Sequence, residues 1–166
     1  LLTDHKLLRK NEQQLFGQYY KLRDVLKKYR QIEKNGGWNP IAIDSLEKTY
    51  KPSDSSKTIG QIRQRLAQTG DLKLDSKSNV YDEELMAGIL NYKKRNGFNT
   101  DYLIASKHIQ RMNIPIENYI KTIIANMERC RWIDPKLTKT DEYIIINIPS
   151  YQFFFKKNGQ NKLESK

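Results

Sequence analysis

The sequence predicts a mainly α protein with a small β part, in which a helical scaffold carries an inserted three-helix unit and ends in a β-hairpin. Three observations predict it. Apolar residues recur at intervals of three and four over several segments, helix-closing glycines follow those segments, and one β-branched run lies near the C-terminus.

The first helix rests on Leu15, Tyr19, Leu22, Leu26 and Tyr29, spaced 4, 3, 4 and 3, with Leu8 one heptad earlier. Asn35-Gly36-Gly37 closes it, because glycine takes the left-handed conformation at little steric cost, so a helix from about Asp4 to Lys34 is expected. Residues 39–57 hold two prolines and the run Lys51-Pro52-Ser53-Asp54-Ser55-Ser56-Lys57, which reads as a loop and as the best boundary in the chain. Thr58 and Gln61 then have capping-box spacing before Ile59, Ile62 and Leu66, and Gly70 stops that helix.

Asp82 can cap a second helix with Leu85, Ile89 and Tyr92 on one face and Asn96-Gly97 at its end. A third is expected from about Asp101 to Met112, carrying Ile104, His108 and Met112. Pro115 suits a first helical turn, and Ile116, Ile120, Ile123 and Met127 continue from it. This last helix needs a partner, and the stripe of the first one supplies it. Residues 142–148 and Phe153-Phe154-Phe155, separated by Pro149-Ser150, form two strands of a hairpin. Both strands are apolar on each face, which calls for cover on both sides.

The organisation expected is residues 1–57 as scaffold helix and loop, 58–113 as the three-helix domain, 114–141 as the returning scaffold helix and 142–166 as the first strands of a further domain.

The 166 residues allow one core of ordinary size or two small ones. Thirty Lys and Arg against nineteen Asp and Glu give +11, which attracts polyanions in a salt-dependent way. Because the cations are interspersed with acids, a solvated basic surface is favoured over a nucleic-acid groove, and carboxylate-bearing peptides are an equally good anionic partner. One cysteine leaves the redox compartment open. No run approaches the roughly 18 apolar residues that span a bilayer, and no signal-peptide pattern opens the chain. No phosphate loop, dinucleotide fingerprint or zinc spacing is present, so neither cofactor nor metal is expected.

Several landmarks in order resemble the large, scaffold-containing L,D-transpeptidases that cross-link peptidoglycan. They are Tyr29-Arg30-Gln31-Ile32-Glu33-Lys34-Asn35-Gly36-Gly37-Trp38, Ile62 to Leu72, Tyr81-Asp82, Glu128-Arg129-Cys130-Arg131-Trp132 and Tyr143 to Pro149. The resemblance implies a helical scaffold, an inserted peptidoglycan-binding-like domain and a mostly β catalytic domain with a cysteine nucleophile and a histidine base. It also implies the periplasm or cell envelope as location. Neither catalytic motif lies in these residues, so the chain is expected to be the non-catalytic part, without transpeptidase activity, partnered by peptidoglycan strands or stem peptides and by its own missing catalytic domain.

Cys130, between Arg129 and Arg131, and His108, on an apolar helix face, read as packed residues rather than nucleophile and base; His5 falls in a terminus. Sugar recognition needs an aromatic platform beside polar donors. Tyr81, Tyr92, Phe98 and Tyr102 are the aromatic candidates, with Tyr92 assigned to the core. The site residues expected are Tyr102, Phe98 and Asn99, with Lys93 and Arg95 meeting stem-peptide carboxylates. Within the insert Tyr92-Lys93 stands for the family's Phe-Gln and Gly97-Phe98 for its Gly-Leu, while Asp101-Tyr102 and Ala105-Ser106-Lys107 stand where the family has further glycines, so the resemblance carries the fold better than the glycan contact. Trp38 and Trp132 are expected to anchor scaffold packing. The alternatives are a basic helical nucleic-acid-binding domain and a spacer without glycan binding.

Overall fold

The computed structural model describes residues 15–43, 48–137, 140–147 and 151–165. Within them the chain is mainly α with a small β part, as the periodicity predicts. The elements are α1 (Gly17–Lys34), β1 (Thr49–Tyr50), α2 (Lys57–Thr69), α3 (Glu83–Asn96), β2 (Ile104–Ala105), α4 (Ser106–Met112), α5 (Ile116–Arg131), β3 (Glu142–Asn147), β4 (Gln152–Lys157) and β5 (Gln160–Ser165). They group into two compact units, one of residues 29–119 and one of residues 1–28 with 120–166.

In the unit of residues 29–119, the periodic apolar faces of the three middle helices make the core. Ile59, Ile62 and Leu66 from α2 meet Leu85, Ile89 and Tyr92 from α3 and Ile109 and Met112 from α4, with Ile41, Tyr50, Leu72, Tyr81 and Ile104 closing the cluster. The turns follow the capping rules. Gly70 and Gly97 sit in the left-handed region, at φ 84° and 71°, and Asp82 accepts from the Leu85 amide. Gly88 is needed for packing: an added Cβ would lie 2.9 Å from Leu72 Cδ1. At the ends of the unit, Tyr29 and Tyr119 come together at 5.8 Å between ring centroids, so α1 and α5 meet there.

Two boundaries differ from the sequence reading. The N-cap of α2 is Ser56, whose Oγ accepts from the Ile59 amide, so Thr58 lies inside the helix and is buried. The third helix begins at Ser106 rather than near Asp101. Asp101 accepts from the Leu103 amide, and Ile104–Ala105 pairs antiparallel with Thr49–Tyr50, so the chain is extended where helix was expected. That pairing also places a strand inside the stretch read as loop.

In the other unit, the predicted stripe of α1 is the less exposed one: Tyr19, Leu22 and Leu26 are half-buried while Lys21, Arg23, Asp24, Lys27 and Lys28 are exposed. Leu15 precedes the helix. Leu8, His5 and the expected start near Asp4 lie outside the described residues, as do Pro149 and Ser150. Ile120, Ile123 and Cys130 of α5 are buried. Trp132 is 77% exposed, which corrects its expected role as a packing anchor: it lies just past Arg131, where α5 ends.

The β part is a three-stranded antiparallel sheet ordered β3-β4-β5, not a two-stranded hairpin. Residues 160–165, polar apart from Leu163, form the extra strand because Asn158 and Gly159, at φ 51° and 75°, supply a two-residue turn with both central residues left-handed. Ile144 stands opposite Phe155 and Phe155 opposite Leu163, so one face is an apolar row. It is uncovered in part: Ile144, Ile146 and Leu163 are all more than half exposed.

Gly88→Ala should lower stability in urea unfolding by about 1–3 kcal/mol, the usual cost of overpacking. Gly17→Ala, with nothing within 4 Å of the added Cβ, should leave it unchanged or slightly higher.

Candidate functional site

The helix α2 has two working faces. Ile59, Ile62, Arg63 and Leu66 point inward, and Gln61, Gln64, Arg65 and Gln68 follow at the next helical stripe, one turn apart in pairs. With Asn39 and Pro40 that stripe lines a cleft of about 110 Å³. Its polar wall is made of side-chain amides and one guanidinium, and no carboxylate lines it. Gln61 and Gln64 are also one wall of a shallower cleft of about 310 Å³, whose other side includes Lys57, Asp75, Lys77 and Asn79. Pro40 is shared with a third, of about 170 Å³, between Gly36-Gly37-Trp38 and Asn113 to Glu117.

The loop that roofs the first cleft is held by hydrogen bonds from two directions. Asn113 Oδ1 accepts from the Ile41 amide at 2.8 Å and its Nδ2 donates to the Ile41 carbonyl at 2.9 Å, while Gln61 Oε1 accepts from the Ala42 amide at 3.0 Å. Trp38 Nε1 donates to the Ile114 carbonyl at 3.2 Å. The indole in turn carries the Arg65 guanidinium, 4.4 Å from its ring centroid.

Arg65 is the wall's least ordinary member. It is 3% exposed; Nη2 donates to the Asn39 carbonyl at 2.8 Å, Nη1 donates to the Met112 carbonyl, and Nε has no protein acceptor. Burial lowers its pKa to about 10, with the Tyr119 and Tyr92 phenols opposing the shift, so it stays charged at neutral pH.

The residues expected to bind ligand are dispersed by this arrangement. Lys93 is corrected: it is 1% exposed, and its Nζ donates to Asp101 Oδ1 and to the Leu103 carbonyl, both at 2.5 Å. Arg95 clamps Asp71 with two bonds of 2.8 and 2.5 Å, and this partner raises its pKa against the effect of burial. Phe98 packs edge-on against His108 at 4.8 Å and beside Tyr92 at 6.1 Å, which makes it core cover rather than a platform. Tyr81 is buried with its hydroxyl on the Tyr102 carbonyl at 2.6 Å. Tyr102 and Asn99 remain exposed, and neither lines the clefts described above.

The two groups that could suggest nucleophilic chemistry are packed. Cys130 is 6% exposed and burial raises its pKa, which disfavours the thiolate. His108 caps α4: its Nδ1 accepts from the Ala105 amide at 2.9 Å, and its pKa falls to about 4 because of burial, then the Lys93 and Lys107 charges, with Asp101 opposing. No group of three or more metal-binding side chains occurs among the described residues.

What the sequence reading missed is the stripe Gln61, Gln64, Arg65, Gln68. The spacing was visible, but a polar helical face carries no signal until the 39–42 loop crosses it.

Because His108 is held neutral in the fold and titrates near its ordinary 6.5 when unfolded, its contribution is complete above that value and is lost as pH falls toward about 4. Urea unfolding at pH 7 and pH 4.5, which spans about two pH units of that window, should show a loss of about 2–3 kcal/mol. His108→Gln, which keeps an acceptor for the Ala105 amide, should remove most of that slope. Compared with protein-family models and with curated proteins, the chain matches none.

Proposed function

We propose that this chain is the non-catalytic scaffold and peptidoglycan-binding-like portion of a bacterial L,D-transpeptidase, holding murein for cross-linking by a cysteine-dependent catalytic domain. The observation that carries the reading is the stripe of amides and one guanidinium along α2, facing a cleft beneath the 39–42 loop. Amides donate and accept at once, which suits acetamido groups, peptide backbone and sugar hydroxyls. The buried Cys130 and the neutral capping His108 support a binding role over a catalytic one. The exposed apolar row of Ile144, Ile146 and Leu163 supports cover by further β structure.

The setting proposed is the periplasm or cell envelope. Among the described residues no helix is long and apolar enough to cross a membrane. Murein is favoured over nucleic acid because part of the positive charge is interior. Arg63, Arg65 and Lys93 are each at most 3% exposed and cannot form a phosphate-binding track.

The purified chain should be retained on murein sacculi, and Gln64→Ala with Gln68→Ala should weaken retention about tenfold, as expected for the loss of one or two good hydrogen bonds. Tyr102→Ala, distant in role from the cleft, should change it little. Incubation with muropeptides should yield no new cross-links. Salt-sensitive DNA binding with no retention on sacculi would reject the reading.

A further inference from the structure

The chain has three Asn-Gly pairs, Asn35-Gly36, Asn96-Gly97 and Asn158-Gly159. This dipeptide is chemically labile. The main-chain nitrogen of the glycine can attack the asparagine Cγ, because a residue without Cβ does not hinder the five-membered ring that forms. The attack needs a side-chain amide free to turn and a glycine nitrogen that no hydrogen bond holds in place.

Two of the pairs are held on both counts. At the end of α1, Asn35 Oδ1 accepts from Gln31 Nε2 at 3.0 Å, and the Gly36 N–H donates to the Glu33 carbonyl at 3.0 Å. At the end of α3, Asn96 Nδ2 donates to the Tyr92 carbonyl at 2.9 Å and Oδ1 accepts from Arg111 Nε at 3.4 Å. The Gly97 N–H there donates to the Lys94 carbonyl at 3.3 Å.

Asn158-Gly159 differs. Both residues are exposed, and among the described residues neither the Asn158 side-chain amide nor the Gly159 N–H has a hydrogen-bond partner. The bond that Asn158 does make, from its own N–H to the Asp141 carbonyl at 2.6 Å, occupies neither reacting group. Every residue of β5 is exposed, so opening the turn for ring closure disrupts little buried contact.

We propose that Asn158 is a self-modifying site, and that its conversion to isoaspartate releases β5 from the sheet. A bond forms between the Gly159 nitrogen and Asn158 Cγ as the Cγ–Nδ2 bond breaks, and ammonia leaves with the proton of the glycine amide. Water then opens the succinimide at either carbonyl. One product is aspartate; the other is isoaspartate, in which the main chain runs through Cγ. Water enters, ammonia leaves, and the net charge falls by one from +11. Isoaspartate lengthens the main chain by one methylene, where two left-handed residues set the register of β4 with β5. The lengthened link does not fit the two-residue turn, and Leu163 loses its place opposite Phe155.

The test is to age the intact chain at mildly alkaline pH, which favours loss of the glycine amide proton. Peptide mass spectrometry and enzymatic methylation of isoaspartyl carboxyls follow each pair. Asn158 should convert at least about tenfold faster than Asn35 and Asn96, which react only when a helix end opens. Hydrogen exchange on the aged chain should show lost protection over residues 160–165 and none lost in α2 and α3. Asn158→Gly keeps a left-handed turn without a reacting amide, and should hold β5 through the same ageing. Freshly prepared Asn158→Asp carries the charge without the methylene and should leave β5 paired, which separates lengthening from charge. Equal rates at the three pairs, aspartate as the sole product, or an aged chain whose β5 stays protected overturns the proposal. So does lost β5 protection in aged Asn158→Gly or in fresh Asn158→Asp.

Discussion

Long cationic side chains sent from helices into the interior, to satisfy carbonyls of irregular backbone, are the constraint on which the 29–119 unit depends. The connections around Asn39, Ser78 to Val80 and Leu103 make few ladder bonds, yet each has a carbonyl that must be paired. Arg63 donates to the Ser78 and Val80 carbonyls, Arg65 to those of Asn39 and Met112, and Lys93 to that of Leu103. Each side chain is one hub pulling a loop onto a helix. Its methylene stem packs among apolar neighbours while its head does the polar work. Removing such a hub would leave several acceptors stranded together, a different order of cost from losing one exposed ion pair.

Much of this was legible in the sequence, and the reason differs by feature. Helix ends at Gly70 and Gly97 and the start at Asp82 were readable because capping chemistry is local and nearly independent of tertiary context. The cap at Ser56 was not, since Thr58 with Gln61 offered the same chemistry two residues later and only burial of Thr58 decides between them. Asn158-Gly159 was a signal passed over: it is the strongest short-range hairpin pattern, and polar residues 160–165 hid the strand it implies. Ile104–Ala105 could not be read, because its partner Thr49–Tyr50 lies far away in sequence.

Arg63 and Lys93 illustrate the same limit from the opposite side. Arg63 is four residues after Ile59 and three before Leu66; Lys93 is four after Ile89 and eight after Leu85. Periodicity places both on the apolar stripes, whereas residue type alone argues for the surface, as in the expectation that Lys93 meets a ligand. Two of the aromatic candidates for a ligand platform, Phe98 and Tyr81, are packed for a related reason, whereas Tyr102 is exposed. An aromatic ring suits a sugar face, but here the core takes the area of both, and the Tyr81 hydroxyl donates to a carbonyl. The cleft beneath the 39–42 loop is lined instead by the amide stripe of α2, where sequence pattern is silent.

The sheet poses a different physical problem. Its register is secured by the left-handed turn at residues 158–159 and by the Glu142–Lys157 pair across β3 and β4, 2.6 Å apart. Such a pair is exposed and contributes little. The greater part of the sheet's stability must come from side-chain contact across strands, where Phe153, Phe154 and Phe155 stand opposite Ile146, Ile145 and Ile144. That contact buries only one dimension of each residue. An apolar row whose isoleucines stay more than half exposed gains from being covered, and β3 and β5 are the outer strands of the sheet among the described residues. The sheet is thus at once the part of the described chain with the least internal reason to be ordered and the part with the most to gain from added β structure.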